Sequence, residues 1–473
     1  MRAKSITLAL VPFSLRLPTI SLTPFTPIFM TALATPAPSA AQTLAASARA
    51  IPQRLASVDA LRGFDMFWIM GADALARSFR RFKPSGPTDF LANQLEHAGW
   101  QGFHFYDLIF PLFVFLAGVS LVFSLSKMIE AAGRGEALKR VFRRGILLFI
   151  IGIIYSGGFT KSWPDMRLMG VLNRIALAYL FAGLFFCFFK PRGLIAICAG
   201  LLIGYWALMS FVPIRDIQLT RSNIARLAEQ AGDAKTAAYY ADPESPNPST
   251  IKDNPAWTAV REMFYSTTNR VTGKFAKGYN LSDHTDFRYL PGKKWDDFFD
   301  PEGFLSTIPA IATCLLGVFA GFLLKNQTVE GRRKVIYLIS AGVVAAALGW
   351  CWNAQFPVVK KIWTSSYVLV AGGYSAILLG LFYLVVDVLE IRGWCQPFIW
   401  MGMNSITVYL ASNFMGGGGW VKLGTRFAGG DVRTFLDQHI GRGIGDITIA
   451  TIGLALAFWF CHFLYKRKIF LRL

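Results

Sequence analysis

Apolar runs recur along the chain at 63–77, 107–127, 145–159, 169–189, 194–212, 304–324, 335–353, 366–388, 398–415 and 447–465. Several reach the roughly 18 residues that a helix needs to cross a bilayer. Of all residues 54% are hydrophobic and only 16% charged, against roughly 25% charged in an ordinary soluble domain. Such a chain keeps its apolar surface dry only in lipid. The alternating segments of about ten residues that build a transmembrane barrel are missing. The expected fold is therefore an all-α polytopic membrane protein of about ten or eleven transmembrane helices.

Charge gives the expected topology. The net charge is +20, which by itself would suit nucleic acid, but its densest clusters lie between apolar runs: Lys139-Arg140 with Arg143-Arg144, Arg332-Arg333-Lys334 and Lys466-Arg467-Lys468. The positive-inside rule explains them as loop charges, so no nucleic-acid partner is expected. An even number of spans puts both termini on one side, together with these clusters, and that side reads as the cytoplasm. The segment 213–303 is then a periplasmic insertion within a transmembrane unit spanning 51–473. Its aromatic residues and its acidic run Trp295-Asp296-Asp297-Phe298-Phe299-Asp300 suit a folded flap or a saccharide-facing wall. Residues 1–50, rich in Ala, Pro, Ser and Thr, read as a disordered or processed tail.

Cysteines give no framework: five of the six lie within apolar runs, the sixth, Cys395, lies beside one, and none has CxxC spacing. The five histidines, His97, His104, His284, His439 and His462, form no HExxH pair, so no metal is expected. A GxSxG elbow and a glycine-rich phosphate loop are both missing. What stands out is the segment Leu95 to Asp107, which sets His97 and His104 directly before a spanning run, where imidazole can exchange protons at a membrane boundary. Polar groups inside spans add to this, because an unpaired charge in lipid costs about 3 kcal/mol: Asp65 and Asp73 in the first run, Asn173-Arg174 in the fourth, Asn404-Ser405 in the ninth. These groups are expected to face one another or a water-filled cavity.

Motifs in order along the chain carry a resemblance. Arg54-Leu-Ala-Ser-Val-Asp-Ala-Leu-Arg-Gly63, His97-Ala-Gly-Trp100, Asp107-Leu-Ile-Phe-Pro111, Gly170-Val-Leu-Asn-Arg174, Asp300-Pro-Glu-Gly303 with Leu305-Ser-Thr-Ile308, Trp363 with Ser366-Tyr367-Val368, and Gly402-Met-Asn-Ser-Ile406 resemble the heparan-α-glucosaminide N-acetyltransferase family. The chain looks like a bacterial member without the large lumenal domain of the animal enzyme.

The resemblance implies a homodimeric membrane enzyme that takes acetyl-CoA from the cytosol and acetylates the amine of glucosamine or a glucosamine-ended glycan on the far side. It implies that His97 is the active-site histidine, with Asp73 where the animal enzyme carries an asparagine. Such a reaction needs a neutral amine and an activated thioester. His97 serves as general base or, alternatively, carries the acetyl group itself. Asp73 and Asp107 are the expected catalytic partners, Arg62, Asn173, Arg174, Asn404 and Ser405 the expected lining of the acetyl-CoA path, and Trp100, Glu302 and Tyr367 the expected acceptor contacts. Two other functions suit the same features: a sugar transporter, although the chain's halves show no convincing repeat, and an O-acyltransferase of envelope polysaccharide.

Overall fold

The computed structural model describes residues 55–81, 86–251, 253–416 and 419–471, without the side chains of residues 72, 73 and 77. The expected tail 1–50 and the side chain of Asp73 lie outside this description. Every apolar run becomes helix. Helix α1 (Ala56–Arg81) is followed by the short α2 (Gly86–Gln94), then by α3 (Phe105–Tyr155), α4 (Val171–Phe188) and α5 (Pro191–Phe211). After the insertion come α10 (Phe304–Lys325), α11 (Gly331–Trp352) and α12 (Ser365–Tyr383). The chain ends in α13 (Gln396–Met403), α14 (Ser405–Phe414), α15 (Gly419–Ala428), α16 (Asp431–His439) and α17 (Ile444–Lys466).

Among the described residues seven helices are long and apolar enough to cross a membrane, fewer than the ten runs of the sequence. Three physical reasons account for the difference. Two runs fuse into α3, whose helical course is broken only at Gly133, where φ is +82°, a left-handed conformation that glycine adopts freely. The first run lies in α1, which carries too many charged residues to count as a simple apolar span. The ninth is split at Asn404, which separates α13 from α14 with a non-helical φ of −117° and ψ of 20°. Helices α5 and α11 turn Ile195, Ile203, Ile336, Val343 and Leu348 outward, each more than half exposed, a surface suited to lipid.

The main core gathers α3, α4, α10 and α12 around Phe115, Tyr179, Leu315, Trp363 and Tyr367. Helix α13 packs on α1 at a crossing where glycine is required. A Cβ on Gly63 would lie 1.7 Å from the Phe398 carbonyl oxygen, and one on Gly402 would lie 1.9 Å from that of Asp59. Close approach of two helix backbones at small residues is a common way of packing helices in lipid.

Residues 213–303 fold as four short helices, α6 (Arg221–Gln230), α7 (Ala234–Ala241), α8 (Pro255–Ser266) and α9 (Leu281–Tyr289), with one two-stranded antiparallel ribbon, β1 (Ile214–Arg215) on β2 (Arg270–Val271). They share a small core of Ile224, Tyr240, Val260, Phe264, Phe287 and Phe298. Asn and Asp or Thr side chains cap all four: Thr220, Asp233, Asn254 and Asn280 each accept a backbone N–H of the first turn.

Candidate active site

One cavity of about 660 Å³ opens where the loops before α3, before α4, before α10 and before α12 meet, a size usual for small-molecule sites. Its mouth is formed by His97, Trp100, Arg167, Trp295, Glu302 and Lys360; inward it passes Phe110, Asn173, Arg174 and Trp363 to Tyr155, Ser405 and Tyr409. The rings of Tyr155 and Tyr409 stack at 4.5 Å in its wall. At the other end of the bundle Lys325, the last residue of α10, pairs with Glu130, which lies in α3 just before its break at Gly133.

Asp107 organises the mouth. It lies in the first turn of α3 with its carboxylate 1% exposed, whereas His97 is 53% exposed toward the cavity. Asp107 Oδ2 accepts the backbone N–H groups of Ala98 (3.1 Å) and His104 (3.0 Å), which folds the 97–104 loop over the helix start. Asp107 Oδ1 is 2.8 Å from His97 Nδ1, and Tyr106 stacks on the His97 ring at 4.6 Å. A buried carboxylate at this distance accepts a hydrogen bond from Nδ1–H and leaves the lone pair on Nε2. His104 plays another part, with its Nδ1 3.0 Å from the carbonyl of Glu96, so that its ring fixes the loop rather than lining the cavity.

Lys360 completes the cluster, and the sequence alone does not reveal it. Its Nζ is 3.4 Å from Asp107 Oδ1 and lies beside the His97 ring, 2.9 Å from Nδ1 and 3.2 Å from Nε2. Burial pushes its ammonium below the usual lysine range, while Asp107 and Glu302 pull it back. Arg167 is a second unexpected residue. Its guanidinium donates to Asp300 at 2.8 and 2.7 Å and to Glu302 at 2.6 Å, and it lies 4.9 Å over the Trp295 ring. Burial, reinforced by the neighbouring Asp300, raises the Glu302 carboxyl, and Arg167 and Arg174 offset this.

Deeper in the cavity, Arg174 is fully buried. One of its terminal nitrogens donates to the Pro301 carbonyl at 2.8 Å and to Ser306, and the guanidinium lies 4.8 Å over Trp363. Its Nε and Nη1, and the neighbouring Asn173 Oδ1, find no hydrogen-bond partner among the described residues. Asn173 Nδ2 donates to the Phe149 carbonyl at 2.9 Å. Unpaired buried polar atoms on two residues that line the cavity call for a polar partner: an acceptor oxygen for the guanidinium and a donor for the amide oxygen.

The other expected residues divide. Trp100 lines the cavity and donates Nε1–H to the Phe275 carbonyl at 2.8 Å, so it also ties the His97 loop to the insertion. Ser405 lines it too. Tyr367 is fully buried behind the site, its hydroxyl donating to the Asp107 carbonyl at 2.7 Å. Asn404 lies at the helix break, outside the cavity lining, its Nδ2 donating to Trp400. Arg62 also lies outside the lining and bonds Ser120 and Asp59; Ser120 is thirteen residues beyond Asp107 on α3, about 20 Å along a helix axis. No group of three or more His, Cys, Asp and Glu side chains suited to a metal occurs among the described residues.

This arrangement, an oriented imidazole with an open nitrogen above a buried guanidinium, can take a proton from a nucleophile and hold an acyl oxygen. Comparison with known proteins agrees. Residues 54–220 match the family described as "Heparan-alpha-glucosaminide N-acetyltransferase, catalytic", a stretch that holds His97, Asp107, Asn173 and Arg174. The chain is similar to heparan-alpha-glucosaminide N-acetyltransferase from Homo sapiens, 26% identical over 398 residues, and to that from Mus musculus, 28% identical over 399 residues. Each alignment covers 76% of this chain and 53% or 54% of the relative, so the chain spans about half the length of the curated relatives it matches. In its motifs, its cavity and these similarities, the chain resembles the heparan-α-glucosaminide N-acetyltransferase family over residues 54–220 and beyond.

Proposed function

We propose that this protein is a transmembrane N-acetyltransferase that moves the acetyl group of cytosolic acetyl-CoA to the amine of glucosamine, or of a glucosamine-ended glycan, on the periplasmic side. The observation that carries the reading is the His97–Asp107 pair at the mouth of the cavity. With Nδ1–H given to Asp107, His97 Nε2 takes the proton of the acceptor ammonium, or receives the acetyl group itself; the same nitrogen serves either route. Arg174 donates to an oxygen of the acyl donor deeper in the cavity, and Asn173, whose open atom is the acceptor Oδ1, takes an N–H of its pantetheine arm, with Ser405 beside them. Trp100 and Glu302 face the acceptor sugar, the ring for its C–H surface and the carboxylate for its hydroxyls. Tyr367 acts from behind through Asp107, and Asp73 is proposed as a further acceptor contact.

Acetyl-CoA solves the distance between the two sides. Its nucleotide stays near the basic loops, where Arg62 and Asn404 belong to its route, while the pantetheine arm extends into a core about 30 Å thick. The four loops that meet at the cavity lie opposite the Lys325–Glu130 pair and the basic clusters beside it, which supports a bacterial inner-membrane topology with both termini cytoplasmic. The relatives' names support the aminosugar class of acceptor. We further propose a homodimer bathed by lipid.

The test mixes detergent-purified protein with acetyl-CoA and glucosamine and follows thiol release together with N-acetylglucosamine by mass spectrometry. Both products are expected, and His97→Ala abolishes both. Absence of both, while proteoliposomes accumulate sugar, would replace this reading with a transporter.

A further inference from the structure

Lys360 sets an amine against the two groups that an acceptor amine would use. Its Nζ lies beside the His97 ring, 2.9 Å from Nδ1 and 3.2 Å from Nε2, and 3.4 Å from the Asp107 carboxylate. An acceptor ammonium would need the same two partners, one to receive its proton and one to balance its charge.

This lysine is held in place. Its loop is fixed by Gly102 N–H to the Val358 carbonyl (2.9 Å), Val358 N–H to Asn353 Oδ1 (2.8 Å) and Val359 N–H to Thr364 Oγ1 (3.1 Å). The turn closes at Trp363, whose φ of +50° is unusual for a bulky residue and whose indole is anchored to Thr313 at 3.1 Å. Nζ therefore lines the cavity as a positioned amine, and burial favours its neutral, nucleophilic form.

We propose that Lys360 is a self-acetylation site: with acetyl-CoA bound and no acceptor sugar present, the acetyl group passes to Lys360 Nζ. The inference rests on the acetyl-transfer reading above. Lys360 Nζ attacks the thioester carbonyl, a C–N bond forms and the C–S bond breaks. Of the two protons the ammonium gives up, one leaves with the thiol of CoA and the other passes through His97 to water. The resulting amide is too stable to hand the acetyl group on. It removes the positive charge beside Asp107 and fills the acceptor's station, so the enzyme switches itself off when acceptor is scarce. Lys361, the next residue, is paired with Asp296 and stays unmodified.

Full-length protein in detergent is incubated with acetyl-CoA alone, and its mass and peptides are followed over time while transfer to glucosamine is assayed in parallel. One acetyl increment is expected, at Lys360, with loss of most transfer activity as it accumulates. Glucosamine slows it, and His97→Ala and Lys360→Arg do not acquire it. A protein that releases N-acetylglucosamine yet keeps Lys360 unmodified overturns the inference and leaves the proposed reaction standing. Modification at an equal rate in His97→Ala also overturns it, as ordinary chemical acetylation. A protein that forms neither product overturns both.

Discussion

Asp107→Asn isolates the chemistry of the site from its architecture, because the structure dictates how the new amide must sit. Asp107 Oδ2 accepts two backbone N–H groups, from Ala98 and His104. In the variant that position must remain the amide oxygen, since an NH2 group there would face two donors. The NH2 group then falls at the Oδ1 position, 2.8 Å from His97 Nδ1. It donates a hydrogen bond to Nδ1 and drives the imidazole into the tautomer that carries its proton on Nε2. The nitrogen that must accept the acceptor's proton, or attack the thioester, then has no lone pair.

Trapping a catalytic histidine in the wrong tautomer costs roughly 10⁴-fold in turnover in enzymes built on such pairs, about 5 kcal/mol of transition-state stabilisation. The loss is expected in kcat, with KM for acetyl-CoA little changed; the charge lost opposite Lys360 lowers the melting temperature in detergent, but less than Asp107→Ala does. Asp107→Ala is the contrast: it also leaves the two backbone donors without a partner, at about 1–3 kcal/mol each, so it loses more stability. Thiol release under saturating glucosamine gives kcat, and a melting curve gives stability. An Asp107→Asn enzyme within tenfold of wild-type kcat would refute the tautomer argument, whatever its stability.

Three further outcomes test other parts of the structure. Burial pushes Asp286, which accepts the Phe304 N–H at the start of α10, up to about 7; its folded value is thus raised above the unfolded one of about 4. Its contribution to stability is complete below pH ~4 and is lost as pH rises through ~7, so melting temperatures should fall over that window and Asp286→Asn should flatten the slope. Gly402→Ala places a Cβ 1.9 Å from the Asp59 carbonyl oxygen and should cost at least about 1–3 kcal/mol, seen as a lowered melting temperature. Gly204→Ala, which meets no atom within 4 Å, should leave it unchanged. Arg167→Gln strips the charge partner from buried Asp300 and Glu302 and should destabilise by about 3–5 kcal/mol, with thermal unfolding as the measurement.

Much of this was legible in the sequence because lipid leaves a chain few options. Apolar runs fixed where helices lie, and polar residues within them singled out Asn173, Arg174 and Ser405, all of which line the cavity. What resisted was any residue whose meaning depends on a distant partner. The fusion at Gly133 and the break at Asn404 follow from backbone angles that a hydropathy pattern does not encode. Arg62 and Asn404 have the polar character of cavity residues but find their partners in neighbouring helices or in their own.

Lys360 and Arg167 were missed for a related reason, since a basic residue in a loop reads by default as a topological charge. One signal was nevertheless available. On the topology expected from the basic clusters, both residues fall on the opposite side, and Lys360-Lys361 follow a Phe-Pro-Val-Val run with Trp363 close behind. A cation there sits beside aromatic and apolar neighbours that desolvate it, a cost that a nearby carboxylate offsets. The structure supplies that carboxylate in both cases, Asp107 for Lys360 and Asp300 with Glu302 for Arg167. In a polytopic chain, then, the loop cations set among aromatic and apolar neighbours are the ones to match with buried carboxylates when searching for a site.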